Sequence, residues 1–219
     1  MFKPQQIAQQ FGFAWPPDFE RLYNEGMLDW GALGPDWGRD VYPELRKNPP
    51  LLLFANDFEL MRMEDIQSQL EEFRDPDYWM GIREDFPFVP FAGNGAGDWF
   101  CFLAEGAEIC VVLLRHDAGY ATYKARNLRD FIFRCMLEAV ADVEDAQFGL
   151  LSETGFREDL THFLRTHQPW LSENQYRTLS EVYGRDGAEK PLITRGELAS
   201  ILQREIGWER LDEDFAYSE

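Results

Sequence analysis

Residues 97–114 read GDWFCFLAEGAEICVVLL, and this stretch decides the fold. Two apolar runs, Asp98–Leu103 and Ile109–Leu114, flank a short polar stretch that contains Gly106. Apolar runs on both sides of a glycine-containing turn are typical of a β-hairpin. With Glu105 and Gly106 at the centre of the turn, Cys101 would lie opposite Cys110, so the register predicts neighbouring reduced thiols.

The chain on either side of this hairpin adds further strands and helices. Three earlier segments have strand-like composition: Leu51–Phe54, Phe58–Met63 and Phe86–Phe91. After the hairpin, Asn127 is a good helix N-cap, and an apolar stripe at helical spacing follows it. The sequence therefore predicts an α+β fold with an antiparallel or mixed sheet flanked by helices.

The last third of the chain shows helical spacing only. Two capping-box patterns, Ser172 with Gln175 and Thr194 with Glu197, each precede an apolar stripe. We therefore predict an α+β domain over residues 1–145 and an all-helical C-terminal extension over residues 146–219.

Composition excludes several classes of protein. The 219 residues include 40 acidic and 21 basic side chains, which gives a formal net charge of −19. Binding to nucleic acid or to an anionic membrane needs a surplus of basic side chains. We therefore expect neither, and a basic protein is the natural partner. The three cysteines form no close-spaced pair, and no apolar run is long enough for a signal peptide or a membrane span. We expect a cytoplasmic protein without a cofactor.

The negative charge is clustered. Residues 64–98, called the acidic segment below, hold nine acids and two bases, a net of −7. Residues 99–140 are neutral, with five of each, and residues 141–219 hold seventeen acids and eight bases, a net of −9. Such runs are commonly solvated faces, and an interaction surface is the alternative.

Three patterns suggest chemistry but lack essential parts. The glycine loop of residues 93–97 has no P-loop lysine and precedes a strand, so a phosphate site is disfavoured against a tight inter-strand loop. Asp186–Glu197 resembles an EF-hand loop, but Ala188, Lys190 and Pro191 replace two oxygen ligands and the turn glycine. His116 with nearby acids leaves open a hydrolase, although no known catalytic motif surrounds it.

Two motifs resemble the SUKH superfamily. The N-terminal one is Trp15-Pro16-Pro17-Asp18-Phe19, followed by Leu22, Tyr23 and Gly26. The central one is Val89-Pro90-Phe91-Ala92, the glycine loop and Gly97-Asp98-Trp99-Phe100-Cys101. The resemblance covers residues 3–142 and is most specific at the glycine–aspartate–aromatic segment. It leaves the helical extension outside.

This resemblance implies a non-enzymatic protein-binding domain. Many bacterial members are immunity proteins that neutralise toxins, often nucleases, whereas fungal relatives regulate cell-wall synthesis. The leading hypothesis is therefore an immunity protein that neutralises a basic toxin. The alternative is a general cytoplasmic regulator or scaffold.

No binding residues transfer from the family, because partner-facing residues differ between its members. We expect a partner site at the rim of the glycine loop and the acidic residues before it, formed by Trp79, Glu84, Asp85, Asp98 and Trp99. The competing interpretation places both tryptophans in the core and makes Gly97-Asp98 a structural element.

Overall fold

The structure is a computed structural model that describes residues 3–143, 149–151, 154–187 and 189–218. Its helices are α1 (Pro4–Phe11), α2 (Pro17–Asn24), α3 (Trp37–Asp40), α4 (Tyr42–Leu45), α5 (Met63–Phe73), α6 (Leu128–Glu138), α7 (Phe156–His167), α8 (Glu173–Tyr183) and α9 (Arg195–Glu205). Its strands are β1 (Glu59–Leu60), β2 (Val89–Gly93), β3 (Trp99–Glu105), β4 (Glu108–Leu114), β5 (Tyr120–Ala125) and β6 (Asp214–Ala216).

The strands form one six-stranded sheet in the order β1-β2-β3-β4-β5-β6, and every pair in it is antiparallel. This confirms the predicted α+β fold class. Consecutive strands are neighbours, so short connections suffice and no crossover is needed.

The register predicted for the central hairpin is wrong, because each residue of β3 pairs with a residue of β4 two positions later than expected. Glu105 pairs with Glu108, Cys101 with Val112 and Leu103 with Cys110, so the two thiols are not opposite each other. The turn is Gly106-Ala107, and Gly106 has φ +64°. A turn with a positive φ at its first central residue needs glycine there, whereas our register would have put Glu105 at that place. Cys101 and Cys110 are both free and buried.

The chain divides into two compact units, each built from separate segments. The described residues of the first unit come from 1–21, 59–131 and 208–219. One face of its sheet packs against Phe73, Met80, Phe88 and Tyr217. The other face carries an aromatic cluster in which Phe102 contacts Trp15, Phe19 and Phe91. The Trp15–Phe19 motif is therefore part of the core.

The second unit comprises residues 22–58 and the described residues of 132–207. Leu51–Phe54, predicted as a strand, is instead a buried turn in which Leu52 has φ +54°. The Leu52 backbone N–H donates to Nε2 of His167, at 3.0 Å, in the last residue of α7. A buried backbone donor needs a partner, and here a side chain replaces the neighbouring strand.

The C-terminal region departs from the all-helical prediction at its end. Residues 214–216 form β6, which pairs with β5 in the register Tyr120↔Ala216. Tyr217 is fully buried, so its aromatic side chain anchors a strand too short to show period-two alternation. The helices predicted after Ser172 and Thr194 are confirmed, each with its capping box. The predicted domain boundary between residues 145 and 146 lies outside the described residues.

Candidate partner-binding site

The glycine loop is closed by the side chain of Asp98, which is only 2% exposed. Its Oδ1 accepts from the His116 backbone N–H at 3.1 Å and lies 2.8 Å from His116 Nδ1. Its Oδ2 accepts from Arg115 Nη1 at 3.0 Å. In the loop itself, the Asn94 side-chain oxygen accepts from the Asp98 backbone N–H at 2.8 Å.

These contacts decide the protonation of Asp98. Burial alone would raise the pKa of the carboxyl, because it penalises the charged form. The hydrogen bonds from His116, the Arg115 charge and the Asn94 amide outweigh burial, so the pKa is lowered. Asp98 is therefore an ionised group that ties the loop after β2 to the end of β4. These contacts favour a structural role for Asp98 over direct contact with a partner.

Trp79, in contrast to the buried Asp98, is exposed to solvent. Its side chain is 64% exposed, whereas Trp15 and Trp170 are 4% and 0% exposed. Its ring centroid lies 5.7 Å from that of Tyr78 and 6.5 Å from that of His116. The structure thus brings together Trp79 and Asp98, two of the five expected residues, with His116 between them.

The other three expected residues differ in exposure. Trp99 is half-buried and contacts Phe73 edge-on, with ring centroids 5.3 Å apart. Its ring packs against the core cluster of the first unit. Glu84 and Asp85 are exposed, and Asp85 pairs with Arg83 at 2.5 Å.

Asp117 lies close to this site, although it is not one of the five expected residues. Ligand atoms of Asp98, His116 and Asp117 all lie within 4.8 Å of one another, and the Asp117 side chain is exposed. In the sequence, only its position directly after His116, just beyond the end of β4, indicates that it lies near this site. Both Asp98 oxygens already accept hydrogen bonds, and Arg115 adds a positive charge beside them, so the trio is a poor metal site.

The His116–Asp98 pair resembles the orienting part of a catalytic triad. A triad also needs a nucleophile within hydrogen-bonding reach of the histidine. Among the described residues, no hydroxyl or thiol group hydrogen-bonds to the His116 ring. The geometry therefore supports a structural role for the pair.

Trp79 and Asp98 both belong to the acidic segment, and most acids of this segment are exposed. Within the described residues, six of its nine acids form no ion pair, namely Glu64, Glu71, Glu72, Asp75, Asp77 and Glu84, and all six are exposed. Together with the exposed Trp79, they define a negatively charged segment with one large apolar side chain. Large exposed apolar side chains next to polar ones are common at interaction sites.

A groove of about 360 Å³ lies between α8 and α9 in the second unit. Its charged lining residues are two acids, Glu181 and Glu197, and two bases, Arg185 and Arg204, and Arg185 pairs with Glu197 at 3.0 Å. Glu197 is the last position of the EF-hand-like span, and it caps α9 instead of facing a cation site. The groove offers no net charge to a basic partner.

The antiparallel sheet with flanking helices and a strand–loop–strand centre defines an α+β domain of SUKH type. The model of the SMI1/KNR4 family (SUKH-1) matches residues 4–134, which is more than half of the chain. The chain therefore belongs to this family. No curated protein and no solved structure matches it significantly.

Neither the α7–α9 helices nor β6 lies within the matched residues. The family segment thus contains five strands of the sheet, and the sixth comes from the end of the chain. Among the described residues, no helix combines the length and the apolar character that crossing a bilayer requires.

Proposed function

We propose that this protein is a non-enzymatic immunity protein of the cytoplasm that binds and neutralises a basic protein toxin. The observation that carries the proposal is the exposed Trp79 beside an acidic segment in which six exposed acids lack an ion pair among the described residues. Membership of the SMI1/KNR4 family supports a protein as the partner.

The charge argument favours a basic partner. The chain carries a net charge of −19, and unpaired carboxylates on one segment produce a negative potential that steers a positive protein toward it. Toxins that cleave nucleic acid have basic clefts because they bind phosphates. A nuclease toxin therefore fits this chemistry.

Affinity purification from the native host, with mass spectrometry of the retained proteins, tests the proposal. The matched control is the triple variant Asp75→Asn, Asp77→Asn and Glu84→Gln, which removes three exposed charges that form no ion pair in the described structure. We expect a basic protein on the unmodified chain and much less of it on the variant. A retained protein that is acidic, or retained equally by both, would contradict the proposal.

The alternative is a general regulator or scaffold. Expression of the retained protein separates the two, because a toxin arrests growth and co-expression of this chain restores it. A retained protein without toxicity would favour regulation.

A further inference from the structure

His116 contacts the exposed ring of Trp79 on one side and lies close to the exposed carboxylate of Asp117. We infer that Trp79 and Asp117 form a subsite for one arginine side chain of the protein partner, with His116 as its wall. This inference rests on the proposed function, because it names the group of the basic partner that this site receives.

The indole of Trp79 is available to such a group. It is 64% exposed, and its two ring neighbours, Tyr78 and His116, are inclined to it by 54° and 77°. Neither ring therefore lies parallel to the indole face. A cation over a tryptophan face is attracted by the negative face of the ring.

Asp117 supplies the negative charge. Its side chain is exposed, and no ion pair or hydrogen bond of its carboxylate is found among the described residues. His116 is held in place by Asp98 from the buried side, so the wall between the indole and Asp117 is fixed before a partner arrives. A fixed site loses less entropy when it binds.

Arginine fits this pair of groups better than lysine. Its planar guanidinium can lie against an aromatic ring and donate to a carboxylate at the same time, whereas a lysine ammonium acts as a point charge. The exposed acids of the acidic segment raise the local concentration of cationic groups without selecting between the two.

The first unit contains an occupied example of the same arrangement. The guanidinium of Arg210 lies 3.8 Å from the ring centroid of Tyr123 and donates to Glu105 at 2.5 Å. An aromatic ring and a carboxylate thus already hold an arginine within this unit. Trp79 and Asp117 offer the same two groups on an exposed side.

The test is a titration of the ¹⁵N-labelled full chain with acetyl-tetra-arginine amide, with acetyl-tetra-lysine amide as the matched peptide. The NMR signal of the Trp79 indole N–H is identified as the one that is missing from the spectrum of the Trp79→Leu variant. We expect the arginine peptide to shift this signal and to bind at least about twofold more tightly than the lysine peptide.

Two charge variants locate the site. Asp117→Asn should weaken arginine-peptide binding about two- to fivefold, the range of an exposed cation–π contact or ion pair. Asp186→Asn removes an exposed acid from the other unit and should change binding much less. An unshifted Trp79 signal, equal binding of both peptides, or equal effects of the two variants would overturn the arginine subsite.

Failure of the subsite can be distinguished from failure of the proposed function. If the subsite fails while the triple variant still loses the basic partner, the acidic segment binds without an arginine at Trp79. If the peptide binds as expected while no basic protein is retained from the host, the subsite stands and the immunity function falls.

Discussion

The acidic segment and residues 141–219 have similar net charges, −7 and −9, but in the second stretch several acids hold the fold together. In α7–α9, Asp159 pairs with Arg46 at 2.8 Å, and the Glu197 carboxylate caps α9 by accepting the Thr194 backbone N–H at 3.0 Å. In the acidic segment, most acids are exposed and form no ion pair within the described part of the chain. Net charge therefore does not identify an interaction surface, and the partners of each carboxylate are more informative.

Asp98 is the one buried acid of the acidic segment, and its removal should have the largest effect on stability. Asp98→Ala leaves Arg115 and the His116 N–H without their acceptor, which should lower the free energy of unfolding by about 3 kcal/mol. Urea unfolding measures this loss. The control Asp85→Ala removes an exposed, paired acid and should change stability by less than about 0.5 kcal/mol. Equal losses would place Asp98 among the solvated acids.

The stability of the second unit should depend on pH through His167. Burial lowers the pKa of His167 to about 3, because the charged imidazole would lose its hydration. The unfolded chain binds this proton near pH 6.5, so the stability from neutral His167 is complete above that pH and falls as pH falls toward 3.

Between pH 7 and pH 5, this linkage should cost about 2 kcal/mol of unfolding free energy. Urea unfolding at both pH values measures it. His167→Gln removes the titrating group and should abolish this share of the pH dependence. An unchanged slope in that variant would assign the acid sensitivity to other groups.

Removal of the Thr194 cap in the second unit should have a smaller effect on stability. The Thr194 hydroxyl accepts the backbone N–H of Glu197 at 3.2 Å, so Thr194→Ala should lower stability by about 1 kcal/mol. Ser200→Ala in the same helix removes an exposed hydroxyl that bonds only within α9, and it should stay within about 0.5 kcal/mol. A cap variant as stable as this control would contradict a stabilising role for the Thr194 cap.

The exposed acids should have the smallest effect on stability. Asp75→Asn, Asp77→Asn and Glu84→Gln together should change the unfolding free energy by less than about 0.5 kcal/mol, since these groups form no ion pair in the described structure. Urea unfolding of the triple variant checks this. A large change in either direction would show that the charges act on folding and would weaken the contrast between the two regions.

Sequence patterns predicted the parts of the fold that depend on local spacing. The hairpin, the Asn127 cap and both capping boxes follow from short-range chemistry and are present. The hairpin register failed because it depends on which residue takes the positive φ. The pairing of β6 with β5 and the hydrogen bond between His167 and the Leu51–Phe54 turn join residues that are distant in sequence. No local pattern could predict them.

The candidate site was partly predictable. An acidic run with a tryptophan suggested Trp79, and the structure shows its exposure. Asp98 and Trp99 lie in the most recognisable motif of the chain, yet they are buried or half-buried because that motif builds the sheet. Asp117 joins Trp79 only through the contact of Trp79 with His116, which is distant in sequence.

The most direct test of the central claim is the association rate of the retained basic partner, measured from about 50 to 500 mM salt with the unmodified chain and the triple variant. Steering by exposed carboxylates predicts about tenfold faster association of the unmodified chain at low salt, with both rates converging as salt rises. Rates that are independent of salt and equal for the two chains would contradict partner binding through the acidic segment.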